Sequence, residues 1–229
     1  PNARPPRDAP RLESNVEGIH TPMRGPQVAA YLREAWRNVH NGQPPTNEVL
    51  AVLTAQWAHE NGQGGRGMYN FNFGGIKAQG HANDSGWHGA SVRLLTREDH
   101  NPTLVYRNFR GYGSARQGAQ DYLGVLMRVH GEAIARVVAS NDPRQYVQAL
   151  HRSGYMTGSD PGGYIRSVTS LTRTALEEWI PASTSINTQD AQLTQNTPIN
   201  PPVVGARRGP TPATRRRTPG GRGSRGGTQ

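Results

Sequence analysis

The sequence predicts an α+β domain that is mainly α, with a helical lobe and a small β-hairpin lobe. Three observations carry this. Several stretches repeat apolar residues at helical spacing. One pair of short β-rich runs stands between them. Hydrophobic residues make up only 33% of the 229-residue chain. That is low for a fully globular chain, so part of this one is expected to build no core.

Residues 1–24 carry Pro1, Pro5, Pro6, Pro10 and Pro22 with scattered arginines, and read as an irregular arm. From Gln27 the pattern turns helical. Val28, Ala29, Leu32, Ala35, Trp36 and Val39 share one face, and Asn41-Gly42 ends the helix. A second helix starts after Pro44-Pro45, with Thr46 or Asn47 as N-cap and Glu48 in the first turn. It reads to Glu60. Val49, Leu50, Val52, Leu53, Ala55, Trp57 and Ala58 leave it apolar on nearly every side, so it is expected at the centre of the core.

Beyond a glycine-rich stretch, Ser91–Thr96 and Leu104–Phe109 read as two strands, with 97–103 as a long hairpin loop. A helix follows from Ser114, with Ala119, Tyr122, Leu123, Val125, Leu126 and Val129 apolar. A short helix is expected over Ala133–Ala139. Asn141-Asp142-Pro143 reads as a cap and helix start leading into Tyr146–His151. A final helix is expected over about 164–179. From Pro181 the chain is low-complexity, with seven arginines against one acid, Asp190. Such a segment cannot bury a core.

Net charge is +10 and the pI about 10.8. That draws the chain toward anionic polymers: nucleic acid, an acidic cell-wall polymer or an anionic membrane surface. For the tail, the readings are a solvated end, contact with acidic polymer, and contact with nucleic acid. There is no cysteine, hence no disulfide or thiol chemistry. No apolar run reaches the roughly 18 residues of a membrane span. The chain opens at Pro1 without a signal-peptide pattern. Either a signal has been removed or an initiator Met trimmed, and the second case implies export by another route.

The chemistry concentrates in 46–78. Glu60 closes a buried helix against Gly62, Gly64, Gly65 and Gly67. A carboxyl half-removed from water has its pKa raised, which is how a glutamic acid serves as a general acid near neutral pH. A lone Glu at a helix end is ordinarily just solvated. Here the neighbours count against that: glycines permit close approach of a ligand, Tyr69, Phe71 and Phe73 offer flat faces for a sugar, and Gln56 shares the helix face of Glu60. Asp121 reads as a structural acceptor. His81, Asp84 and His88 match no zinc spacing. Ser91, Ser114 and Ser153 sit in no nucleophile-elbow context.

At these residues the chain resembles a known family. AQWAHENGQGG and YNFNFGGIKA (55–65 and 69–78), YRNFRGYGSARQGAQDYLGVL (106–126) and YVQALHRSGYMTGSDPGGYIRSV (146–168) are similar to blocks of the bacterial and phage glucosaminidases of the flagellar-hydrolase and autolysin type. The resemblance spans about 27–178. It implies a lysozyme-like helical lobe with a small β lobe, and cleavage of peptidoglycan after N-acetylglucosamine without cofactor or metal. It implies Glu60 as general acid, Tyr155 lining the cleft, and Glu98 near a second carboxylate. Phe73 and Gly75 fall on the family's turn, and with Gln56, Tyr69, Asn72 and Tyr112 they are the residues expected on the substrate. Two departures, Gly74-Gly75 and an inserted Gly158-Ser159, fall in the turn and in the loop around Tyr155.

The expected units are an arm at 1–24, a catalytic domain at 25–180 and a basic tail at 181–229. The expected site of action is the bacterial cell wall, in the periplasm, at the cell surface or from a phage particle with virion partners. Lytic transglycosylase and muramidase chemistry stand as alternatives on the same fold. A wall-binding or nucleic-acid-binding virion protein is the alternative outside enzymes.

Overall fold

A computed structural model describes residues 15–62, 67–78, 87, 89–98, 101–155 and 160–183. Their order is β1 (Asn15–Val16), α1 (Gly25–Val39), α2 (Asn47–Asn61), β2 (Ser91–Glu98), β3 (Asn101–Arg110), α3 (Ala115–Val129), α4 (Gly131–Ser140), α5 (Pro143–Arg152) and α6 (Pro161–Thr174). A π-helical turn (Ala175–Trp179) then leads into α7 (Ile180–Ser183). This is the mainly helical fold with a small sheet that the sequence predicts.

Helix α2 is the axis of the core. Every residue from Val49 to Ala58 is buried, polar Thr54 and Gln56 included. Burying one such aliphatic or aromatic side chain stabilises by about 1.5–3 kcal/mol. The Thr46 hydroxyl caps the helix by accepting from Val49 N at 3.3 Å. Gly62, at φ +62°, ends it, a conformation glycine adopts without steric cost. Helices α1, α4, α5 and α6 pack against α2, and α3 packs on α1.

Several starts and stops follow side-chain chemistry. Ser114 Oγ accepts from Gln117 N to start α3. Asn141, at φ +52°, stops α4. Asp142 caps α5 through Arg144 N, and Asp160 caps α6 through Gly163 N at 2.7 Å. Val39 and Val129 are exposed rather than buried, since each lies at the last residue of its helix beyond the packed face.

Strand order is β1-β2-β3, with β1 parallel to β2 and β2 antiparallel to β3. The long hairpin loop expected over 97–103 is instead mostly strand. β2 runs to Glu98 and β3 begins at Asn101, with a register shift at Arg97/Glu98. Cross-strand pairing carries the ladder past the point where apolar alternation fades.

The end of the arm is also structured. Val16 pairs with Val92, and residues 17–21 lace the 68–71 segment: Asn70 N donates to Ile19 O at 2.8 Å, and Asn70 Nδ2 to Glu17 O at 2.9 Å. Two-residue strands carry no periodicity, so nothing in the sequence marked this pairing. At the other end the helical chain runs on through Pro181, the second residue of α7. Ser183 Oγ accepts from Arg33 Nη2 at 2.9 Å. The expectations for residues 1–14 and 184–229 lie outside the described residues.

Candidate active site

Glu60 occupies the last turn of α2 and is exposed. The half-burial expected for it is therefore absent. What surrounds its carboxyl is instead a set of tyrosines. Tyr164 Oη, in the first turn of α6, donates to Glu60 Oε1 at 3.0 Å. The Tyr155 hydroxyl also bonds Glu60. Burial, and then the charge of Glu60, push both phenols above their ordinary pKa, so each stays protonated as a donor.

Beneath them lies a buried layer. Tyr146 Oη donates to Gln56 Oε1, and both residues are fully buried. Gln56 Nε2 faces the Tyr155 hydroxyl, where it lowers that phenol's pKa without completing a well-formed hydrogen bond. Tyr122, also buried, has its pKa raised by burial and then by the neighbouring tyrosines and Glu60. Tyr155 itself packs edge-on against His130, at 5.0 Å between centroids. Gln56 thus underpins the site from the core; it is not exposed to a ligand, which corrects its expected place on the substrate.

The 68–76 segment also departs from expectation. Phe73 is fully buried, and its carbonyl accepts from Asn61 Nδ2 at 2.6 Å. Asn72 is 4% exposed. Its amide donates to Ile76 O and Arg110 O and accepts from Ile76 N, so it closes the turn on itself. Asn70 and Phe71 hold positive φ values, which invert the chain and send Phe73 inward. Gly118 permits this from the α3 side. A Cβ there would meet Phe71 O at 1.9 Å. Tyr112 is buried too, with its hydroxyl on Asp121. Asp121 accepts both bonds of Arg110 Nη1, at 2.9 and 3.1 Å, and the Arg110 guanidinium lies 4.6 Å over Trp87. Phe73 and Tyr112 are therefore packing groups, and Asp121 is structural as read.

Tyr69 and Gly75 do reach a surface. With Gly67, Asn72, Leu94, Leu95, Thr96 and Phe109 they line a groove of about 410 Å³ between the 67–75 segment and the sheet. Gly67 N donates to Asn61 O at 3.2 Å, which ties this groove to the residue after Glu60. Glu98 ends β2, and its side chain lies outside the described residues. So do 63–66, 156–159 and the His81, Asp84 and His88 set. Among the described residues no group of His, Asp and Glu could hold a metal ion, and no helix is long and apolar enough to cross a membrane.

Sequence reasoning missed Tyr164 and Tyr146. Tyr164 lies in the quoted DPGGY segment, and the signal was there. Asp160-Pro161 marks the start of the helix, which puts Tyr164 inside its first turn rather than at its first residue.

A scan against protein-family models matches residues 47–177 to glucosaminidase, described as mannosyl-glycoprotein endo-beta-N-acetylglucosaminidase. The match covers more than half of the chain. The chain belongs to the glucosaminidase family. It is a glycoside hydrolase of the endo-β-N-acetylglucosaminidase type. Among solved structures it is similar to the glycoside hydrolase domain of Salmonella typhimurium FlgJ, at 24% identity and TM-score 0.46, over 73% of this chain and 99% of that one. It is also similar to a peptidoglycan hydrolase from Sphingomonas sp. A1, at 25% identity and TM-score 0.48, over 71% and 97%. The catalytic domain of the autolysin Auto from Listeria monocytogenes matches at 19% identity and TM-score 0.46, over 69% and 82%. No curated protein matches.

Proposed function

We propose that this glucosaminidase hydrolyses bacterial peptidoglycan, cutting the β-1,4 bond after N-acetylglucosamine, with Glu60 as general acid. The observation that supports this most is the pairing of an exposed carboxyl at the end of the buried axis helix with two protonated phenols, Tyr155 and Tyr164. An exposed carboxyl is open to a polymer, and the protonated hydroxyls beside it donate to it.

In this reading Glu60 protonates the glycosidic oxygen, the C–O bond breaks, and positive charge develops on the sugar ring as an oxocarbenium-like centre. The electron pair of the broken bond leaves with the departing sugar's hydroxyl. Water then adds at the anomeric carbon and loses its proton. Either Glu98 acts as base for that water, or the substrate's own acetamido group traps the centre first. Tyr155 steadies the developing charge or the N-acetyl group. The groove along Tyr69, Gly75 and Leu94–Thr96 seats the glycan. The catalytic unit is 25–180 together with the 15–24 segment that laces it. The basic tail adds attraction to acidic wall polymer or nucleic acid. The enzyme acts at the cell wall, and a phage particle is one setting that would suit its basic end.

The test is the chemistry of the new chain ends. Purified cell wall is digested, reduced with borohydride and examined by mass spectrometry. The expected product ends in reduced N-acetylglucosamine. Reduced muramic acid would make the enzyme a muramidase, and anhydromuramic acid a lytic transglycosylase. Intact wall would favour a binding protein.

A further inference from the structure

We propose that Tyr164 is the positioning residue of Glu60: it holds Oε1 so that the acid proton is carried on Oε2. This rests on the reading of Glu60 as general acid.

The Tyr164 hydroxyl donates to Glu60 Oε1 at 3.0 Å. In a protonated carboxyl the carbonyl oxygen is the better acceptor. A donor fixed on Oε1 therefore favours the tautomer with its proton on Oε2. The same bond fixes the rotation of a side chain that is otherwise exposed.

Tyr164 is itself held on three sides. Its backbone N donates to Asp160 O at 3.2 Å, and Asp160 caps the helix through Gly163 N. Its ring meets His59 edge-on at 4.4 Å. His59 Nδ1 lies 2.8 Å from Ser167 Oγ, one turn further along α6. The residue before Glu60 and the helix carrying Tyr164 are thus tied together, and the hydroxyl meets the carboxyl at a fixed place. A solvated surface pair would have none of these ties.

Among the described residues, the titratable groups facing Glu60 are His59 on its own helix, Tyr122 on α3, Tyr146 on α5, Tyr155 after α5 and Tyr164 on α6. The tyrosines stay protonated through neutral pH because burial raises them all. A hydrogen bond to a carboxylate stabilises its charged form. Losing that donor therefore moves the limb of the pH–rate profile that reports Glu60 deprotonation to higher pH.

The experiment compares wild type, Tyr164→Phe, Glu60→Gln and the double variant of the full chain on purified cell wall. It reads kcat, KM, pH profile and thermal midpoint. Tyr164→Phe keeps the ring and its contact with His59. Its kcat is expected to fall about tenfold with KM little changed, its alkaline limb to move up by about one pH unit, and its thermal midpoint to stay close to wild type. In the Glu60→Gln background the same change should do nothing further. An inactive Glu60→Gln beside a Tyr164→Phe with wild-type kcat and an unmoved limb would overturn the assignment of Tyr164 alone. A fall in kcat with an unmoved limb would reduce Tyr164 to packing and overturn it too. Near-wild-type lysis by Glu60→Gln would take down the acid reading itself.

Discussion

Two carboxylates of this protein each meet a tyrosine, and they are opposites in every other respect. Asp121 is fully buried, takes both bonds of Arg110 Nη1 and accepts from Tyr112. Its charge is answered on the spot, and its lone pairs are used. Glu60 is exposed at a helix end, and the phenols that meet it are neutral. A buried charge costs several kcal/mol unless it is paired, so the pairing at Asp121 is a condition of folding. The described partners of the Glu60 carboxyl are phenols, and its side chain is exposed. The contrast separates a carboxylate that holds the sheet to the helical lobe from the one proposed to do chemistry.

Breaking the buried member should give the largest loss of stability. Asp121→Ala leaves Arg110 as an uncompensated buried charge and is expected to cost about 3–5 kcal/mol, read by chemical denaturation. A variant of unchanged stability would remove the structural half of the contrast. Gly118→Ala tests the apposition that joins the two regions. The new methyl runs into Phe71 O, and the expected loss is about 1–3 kcal/mol, with activity falling as the 68–76 segment shifts.

A smaller effect is expected from His130, which packs behind Tyr155. Burial lowers its pKa from 6.5. The unfolded chain therefore binds the proton more readily than the folded one. The stability tied to neutral His130 is present above about pH 6.5 and is lost as pH falls through the folded value. The thermal midpoint should drop between pH 7.5 and 5.5 in wild type, and drop less in His130→Gln. Equal slopes would exclude this histidine as the cause. The smallest effect should follow from ending the chain after Ser183. The melting temperature should hardly move, because the removed residues have no core composition. Binding to anionic polymer should weaken, mostly at low salt.

The helical lobe was legible because its signals are local. The run from Val49 to Ala58 is apolar on all sides, and that alone puts α2 at the centre. Pro44-Pro45, Thr46 and Gly62 mark its ends. Glu60 was legible for the same reason, as the carboxylate that closes this run. The aromatics after it were not. Phe73 and Tyr112 stand in segments that look built for a ligand, yet positive φ at Asn70 and Phe71 and the acceptor Asp121 turn them inward. That turn is held by partners far off in sequence: Asn70 bonds Glu17 and Ile19, Gly118 leaves room for Phe71, and the β1 pairing joins residues 15–16 to 91–92. Tyr164 was hidden by a boundary: reading the last helix from 164 rather than Pro161 left the tyrosine at its edge instead of one turn inside, over Glu60.

The central claim is that Glu60 supplies a proton while the fold rests on other groups. It is tested most directly by Glu60→Gln, with lysis of purified cell wall and thermal midpoint measured on the same preparation. General acid catalysis contributes about 10²–10⁴-fold, and a substitution at an exposed position changes stability by about 0.5 kcal/mol or less. The account predicts lysis reduced at least a hundredfold, to within about that range, with the midpoint essentially unmoved. Near-wild-type lysis, or a loss of lysis that only follows a fall in the midpoint, would contradict it.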